Sequence, residues 1–343
     1  MAEAVSSVEK SARPEAAGEP TLIEAIRQAM DEELARDPDT FIIGEDVGPR
    51  GGVFRATLGL YDKYGPKRVI DSPLAEATIS GVGIGAALYG LHPICEIQFA
   101  DYILPAVNQI INEAAKMCYR SNGQWTVPMV IRAPYGGGVG GALYHSQSTE
   151  SIFTHIPGLK VVIPSTPADA KGLLKSAIRD PNPVIFFEPK KGYRLIRGSI
   201  PEGDYTVPIG PARVARRGGD LSVFAYGMMA FYAEQAAQTA AGEGIDVEVI
   251  DLRTLYPVDR DGILASVRKT GKALIVYEDN LTGGYGAEIA ALIAEHAFTD
   301  LDAPVRRLAG PDVPAMPFSR PFQDWFMVNP DRIAAAIRDL ARY

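Results

Sequence analysis

Cysteine is nearly absent: the 343 residues hold two, Cys95 and Cys118, each inside an apolar stretch. That excludes a disulfide framework and any cysteine-based metal spacing. No apolar run approaches the roughly 20 residues of a membrane span. Positive charge is in deficit, with a formal net charge of −8 at pH 7, which argues against a nucleic-acid or anionic-membrane partner. The glycine-rich loop 136–141 lacks the Gly-Lys-Ser/Thr ending of a phosphate-binding P-loop. No tandem repeat recurs at solenoid periods.

What remains is ordinary soluble-protein chemistry, with 47% hydrophobic and 22% charged residues. The chain is too long for one ordinary core, so two domains of about 130–190 residues are expected. Residues 1–20 are polar, carry four glutamates and lack an apolar core. They predict a disordered leader rather than a transit or signal peptide. With so few cysteines, the chain reads as a cytoplasmic protein.

From Thr21 the pattern becomes regular. Thr21 and Glu24 make a capping box ahead of Leu22, Ile26, Met30 and Leu34 at helical spacing. Short apolar strands are predicted at 41–43, 68–71, 93–98, 128–132, 159–163 and 184–188, with helices between them. Ile103, Val107, Ile110, Ile111, Ala114 and Cys118 read as one helical face. Thr166 caps a further helix with Pro167 at its first position. A linker rich in Gly, Pro and Arg is expected at 196–220. A second alternation then places strands at 221–225, 247–252, 273–277 and 305–308, with a last helix after Asn329-Pro330. Such alternation means an α/β fold with mostly parallel sheets covered on both faces. The proline- and aromatic-rich stretch 311–328 reads as a packed C-terminal arm.

In these sheets ligands bind beyond the carboxyl ends of the strands, and Glu45, Glu76, Gln98 and His145 all fall there. Glu76 heads the small-residue run with Gly81, Gly83, Gly85 and Gly90. Each glycine costs about 1 kcal/mol against alanine in an exposed helix, a cost tolerable where backbone or ligand approaches closely. A carboxylate at the head of such a helix is either a helix-dipole partner or a working acid. Gly81-x-Gly83-x-x-Ala86, with Glu96 downstream, also matches a dinucleotide fingerprint. Ser72-Pro73 and Glu76 interrupt the strand approach that fingerprint needs. His145 precedes Ser146-Gln147-Ser148-Thr149-Glu150, a predicted helix start, and suits a structural hydrogen bond or proton transfer equally. Phe99 and Tyr102 flank Asp101 where an aromatic serves the core or a flat cofactor ring. GGYG at 283–286 reads as a tight turn opening a helix.

GEDVG with GGVFRAT, DSPLAE, GIGAALYG, EIQFADY, YHSQSTE, PGLKVVIPSTPADAKGLL, NPVIFFEPK and EVIDLRTLYPVD follow one another from about residue 21 onward. The combination resembles the β-subunit of the thiamin-diphosphate-dependent decarboxylase component of the pyruvate and branched-chain 2-oxoacid dehydrogenase complexes. The resemblance implies two α/β domains of transketolase type, a pyrimidine-binding domain at 21–195 and a transketolase C-terminal domain at 221–343. It makes Glu76 the catalytic acid that hydrogen-bonds the aminopyrimidine N1′, a task suited to a carboxyl in a water-poor pocket. Tyr102 corresponds to the aromatic packed on the pyrimidine. Gln98 and Leu74 correspond to neighbours in that pocket, and Glu45 to an acid in the polar channel linking paired active sites. His145 corresponds to the histidine that handles protons during reductive acylation of a lipoyl group. Met129, Ala177, Ile178, Asp180 and Asn182 correspond to a structural potassium site built largely from main-chain oxygens, the ligands a hard cation wants.

Thiamin enzymes hold Mg²⁺ and the diphosphate with a Gly-Asp-Gly segment, and none occurs in this sequence. The resemblance therefore implies a separate α-subunit that brings Mg²⁺, in an α₂β₂ heterotetramer with each thiamin diphosphate between an α and a β chain. The implied reaction is oxidative decarboxylation of a 2-oxoacid. The acyl fragment passes to the lipoyl group of a dihydrolipoyl acyltransferase, whose lipoyl and subunit-binding domains are the further partners. GALYHSQS and EIQFADY lean toward branched-chain substrates, while DSPLAE also suits pyruvate or an acetoin dehydrogenase. The rival readings are an NAD-dependent Rossmann-type oxidoreductase using 81–86 and a non-catalytic scaffold.

Overall fold

A computed structural model describes residues 18–343, and the leader expected at 1–20 lies outside the described residues up to residue 17. The first helix, Leu22–Arg36, starts on the expected capping box. Glu24 accepts the Thr21 N–H at 2.8 Å, and the Thr21 hydroxyl accepts the Glu24 N–H at 3.4 Å. Its apolar residues are buried against the first of two sheets.

The strands of the first half are β1 (Thr40–Glu45), β2 (Val69–Ser72), β3 (His92–Glu96), β4 (Val130–Tyr135), β5 (Lys160–Val162) and β6 (Val184–Pro189). The second half supplies β7 (Arg213–Arg216), β8 (Leu221–Ala225), β9 (Val247–Asp251), β10 (Thr254–Tyr256), β11 (Ala273–Asn280) and β12 (Arg306–Gly310). One sheet runs β10-β5-β6-β4-β3-β1-β2 and the other β12-β11-β8-β9-β7. Pairing is parallel except at β10–β5 and β7–β9. The α/β architecture and mostly parallel sheets are those the sequence implies.

Two strands escape the sequence pattern. β7 lies inside the stretch read as linker, because a four-residue edge strand with two arginines and no buried residue carries little core signal. β10 has only three residues, yet it leaves the second half of the chain to pair with β5 at the edge of the first sheet. The two halves are further joined by ion pairs. Asp169 meets Arg253 at 2.8 Å and Arg213 at 3.4 Å, and Arg213 also reaches Asp251 at 3.2 Å.

The continuous helix expected over 103–118 is instead broken. Short 3₁₀ turns at Ala100–Tyr102 and Leu104–Ala106 precede a π-helical turn at Gln109–Ala114 and an α-helix at Ala115–Arg120. Pro105 has no N–H to donate and restricts φ, which disfavours a regular start. Ile103, Ile110 and Ala114 are still buried. The helix Glu76–Leu88 buries Ile79, Ser80, Gly83, Ile84 and Ala87 only. A Cβ at Gly83 would lie 2.5 Å from Cys95 Sγ, whereas those at Gly81 and Gly85 would meet nothing within 4 Å. Gly81, Gly83 and Ala86 sit inside the helix rather than in a strand–helix turn, so the dinucleotide fingerprint lacks the geometry that gives it meaning. The arm at 311–328 packs in part. Met316, Phe326 and Met327 form a small buried cluster, while Phe318, Phe322 and Trp325 stay exposed.

Under the carboxyl end of the first sheet lies a buried ionic cluster. Arg132 of β4 is 2.7 Å from Glu96 of β3 and 2.7 Å from Glu188 of β6. Tyr193 donates its hydroxyl to Glu188. Burial opposes the charge, but Glu188 and Glu96 more than offset it and hold the guanidinium's pKa above its usual value. Replacing Arg132 with Met should cost about 3–5 kcal/mol, because two buried carboxylates lose their partner. The loss is measured as a lower urea midpoint. Adding Glu96→Gln and Glu188→Gln should recover part of it, and a single variant as stable as the parent would contradict the pairing.

Candidate active site

Parallel strands deliver their carboxyl ends to one edge, and the acids expected there do meet. β1 ends at Glu45, followed by Asp46, which adopts a left-handed φ of 59°. Gln98, just past β3, places its Nε2 3.5 Å from Asp46 Oδ2. Glu76 is the first residue of its helix, with no side-chain cap from Ala75, so its carboxylate sits where the helix dipole favours negative charge. It is half-buried and has no hydrogen-bond partner among the described residues.

The charges of this group act on one another. Burial first, then the Asp46 and Glu76 charges, hold Glu45 above the usual carboxylate pKa. The Tyr102 phenol is likewise raised, by burial and then by Asp101, Glu76 and Glu45. Three expected site residues thus share one electrostatic environment.

Tyr102 also joins the histidine to that group: its hydroxyl lies 3.0 Å from His145 Nε2. The Phe99 ring stands edge-on to His145 at 4.6 Å and 89° and to Tyr102 at 5.8 Å and 84°. Phe54, from the GGVFRAT segment, extends this wall to Phe99 and Tyr193 at 5.3 Å each. Asp101 Oδ1 accepts the N–H groups of Ser146 at 3.0 Å and Gln147 at 3.1 Å, which fastens the loop beside His145. The helix expected at 146 begins at Glu150.

Leu74 stands at the rim, 71% exposed. The residues matched to potassium lie elsewhere, at the amino ends of β4 and β6. There the Met129 carbonyl accepts the Val184 N–H at 3.0 Å and the Ala177 carbonyl accepts the Asp180 N–H at 3.3 Å. Ile178 ends its helix, the Asp180 carboxylate pairs with Lys160, and it accepts the Asn182 N–H at 2.9 Å. Among the described residues no three His, Cys, Asp or Glu side chains converge as a metal site.

Sequence reasoning missed Phe54 and Lys190, whose only signal was membership in GGVFRAT and NPVIFFEPK. Lys190 is 3% exposed, its Nζ has no hydrogen-bond partner among the described residues, and it lies 5.7 Å from the Phe99 ring centre. Burial pushes its pKa down to about 8, against the opposing charges of Asp101 and Glu278.

Comparison with known proteins bears on the whole chain. The transketolase pyrimidine-binding domain family matches residues 18–195, and the transketolase C-terminal domain family matches residues 210–333. The chain is 58% identical over 321 residues to the 2-oxoisovalerate dehydrogenase subunit beta of Bacillus subtilis, covering 94% of this chain and 98% of that one. It is 46% identical to the pyruvate dehydrogenase E1 component subunit beta of the same organism, covering 92% and 97%. A solved split-gene transketolase, an inactive β4 tetramer, shares the fold with a TM-score of 0.76 at 23% identity, covering 95% of this chain and 99% of that one. A carboxyl-end cluster of Glu45, Glu76, Tyr102 and His145, on a fold with those relatives along nearly its full length, leads to one conclusion: the chain belongs to the family of 2-oxoacid dehydrogenase β-subunits, built from transketolase-type pyrimidine-binding and C-terminal domains.

Proposed function

We propose that this chain is the β-subunit of a branched-chain 2-oxoacid dehydrogenase, working in the cytoplasm with an α-subunit as an α₂β₂ heterotetramer. Thiamin diphosphate is held between the two kinds of chain. The observation that carries the reading is the convergence of Glu76, Glu45 and the Tyr102–His145 hydrogen bond at one sheet edge. The donor set fits the pyrimidine half of that cofactor. A half-buried, unpartnered carboxylate stands at a helix head, an aromatic ring lies within its field, and an apolar Leu74 is uncovered at the rim. Identity of 58% to a 2-oxoisovalerate subunit, against 46% to the pyruvate subunit of the same bacterium, favours a branched-chain substrate.

When bound, thiamin diphosphate supplies the electron sink that takes up the pair left behind by carbon dioxide. Glu76 holds a proton at its carboxyl and shares it with the pyrimidine N1′. An α-subunit closing over the half-exposed acid would exclude water from around it. Tyr102 and Leu74 flank the ring. Glu45, already raised in pKa, carries a proton more readily near neutrality than an ordinary carboxylate and extends the polar path away from Glu76. His145, held through Nε2 by Tyr102, carries a proton to or from the lipoyl sulfur during acyl transfer to a dihydrolipoyl acyltransferase. We assign Mg²⁺ to the α-subunit, since this chain has no Gly-Asp-Gly segment. Potassium is proposed at the carbonyls near Met129, Ala177, Ile178, Asp180 and Asn182. At the amino end of the sheet it would brace the fold rather than take part in chemistry. The second domain is the proposed seat of the acyltransferase's subunit-binding domain.

In the reconstituted heterotetramer, Glu76→Gln should lower decarboxylation at least about a hundredfold, the scale of a lost proton-transfer group. Assembly, followed by size-exclusion chromatography, should be unchanged, and surviving activity would remove the catalytic role. Glu45 supplies a second test. An acid with a raised pKa in the folded state favours its protonated form there. Its contribution to stability is therefore present below its unfolded pKa and lost as pH rises through the raised value. Glu45→Gln should accordingly raise the melting temperature of the purified chain at neutral pH. The gain should vanish below about pH 4, where the unfolded carboxyl is itself protonated. A gain independent of pH would contradict the raised pKa of Glu45.

A further inference from the structure

His145 rides on a loop that the second half of the chain holds in place. Glu278 of β11 is buried, and its carboxylate accepts the Gly137 N–H across 141 residues of sequence. Backbone and side chain are pressed together here. A Cβ at Gly136 would lie 2.9 Å from Glu278 Oε1, and one at Gly137 would collide with Met316 Cε and lie 3.1 Å from Met327 Sδ. Gly136 has a φ of 82°, and its N–H bonds the Gln147 carbonyl at 3.0 Å. The start of the loop is thus tied to its end, two residues from His145. Beyond that closure the same seam continues, with Ser151 donating to Asp279 at 2.6 Å and Tyr226 donating to Glu150 at 2.9 Å.

A carboxylate at this place has a further use. Lys190 and Lys191 both act on Glu278, and Lys190 stands behind the Phe99 ring that packs on His145. Burial raises the Glu278 pKa, while the Gly137 N–H and the two lysines pull it back toward the charged form. The loop that carries His145 is thus held by Glu278, and the Phe99 ring that packs on the histidine lies 5.7 Å from Lys190 Nζ. Glu45, Glu76 and Gln98, by contrast, are placed by β1, by the helix Glu76–Leu88 and by the exit from β3, none of which is part of this loop.

We propose that Glu278 is a positioning residue for His145: by gripping the glycine-rich loop from the second domain, it sets the histidine for acyl transfer and leaves decarboxylation to the first domain. The proposal rests on the assignment of His145 to acyl transfer.

Two partial reactions of the reconstituted heterotetramer separate these roles. Reduction of ferricyanide by the 2-oxoacid requires decarboxylation but no lipoyl group, and transfer to an isolated lipoyl domain requires both steps. Glu278→Ala should lower kcat for acyl transfer about ten- to a hundredfold, the penalty of a displaced catalytic group. Ferricyanide reduction should stay within about twofold. Glu278→Gln keeps an oxygen for the Gly137 N–H and should restore most of the transfer rate. Equal losses in both reactions, or no loss in either, would overturn the proposal. Should Glu278→Ala fail to assemble, Gly137→Ala moves the same loop by collision with Met316. It should show the same selective loss, relieved when Met316→Ala is added, and its absence would also overturn the proposal. His145→Ala is the control. Undiminished acyl transfer in that variant defeats the underlying assignment, whereas its loss alongside a silent Glu278→Ala defeats only the positioning role.

Discussion

The guanidinium of Arg132 ties together the carboxyl ends of three neighbouring strands. Glu96 on β3 and Glu188 on β6 hold it from either side, and all three groups are buried. A buried charge without its partner costs several kcal/mol, of the order of 3–5, so these strand ends can shift only together. The segments that build the site leave from those same ends: 97–102 after β3, the loop 136–149 after β4, and Lys190 to Tyr193 after β6. Gly52 lies against the cluster, since a Cβ there would sit 3.1 Å from Glu96 Oε1. Its close approach lets the following Phe54 complete the aromatic wall around Phe99.

The second sheet is part of the same construction. β10 pairs with β5, Arg253 and Arg213 reach Asp169, and Glu278 grips the loop of His145. Each contact crosses between halves and is directional, so the relative placement of the halves is set by hydrogen bonds and charge as well as by apolar burial. A site carried on the first sheet consequently depends on residues far along the chain.

The site faces outward. Glu76 is half-buried, Leu74 is 71% exposed, and the helix behind them presents Val82, Leu88 and Tyr89 to solvent beside Gly81 and Gly85. An apolar surface flanking that acid, on a helix whose glycines admit close backbone approach, suits a face that another subunit covers. The proposed heterotetramer gives that exposure a use and gives Glu76 the dry surroundings its proposed proton transfer needs.

Local chemistry was enough for much of this protein. The capping box at Thr21, the Pro167 and Pro330 helix starts, and ten of the strands follow from side-chain pattern, because caps and apolar runs act within a few residues of themselves. The candidate acids were legible too, since the carboxyl ends of parallel strands are where ligands collect. What the tertiary structure alone decided were the relations between distant groups. The reach of β10 into the other sheet and the joining of Tyr102 to His145 both belong there. So does the burial of Lys190 behind Phe99 and the hold of Glu278 on Gly137. None of these has a local signature. A hydrogen bond across 141 residues, or a lysine stripped of water, arises only when packing brings the groups together and removes their solvent.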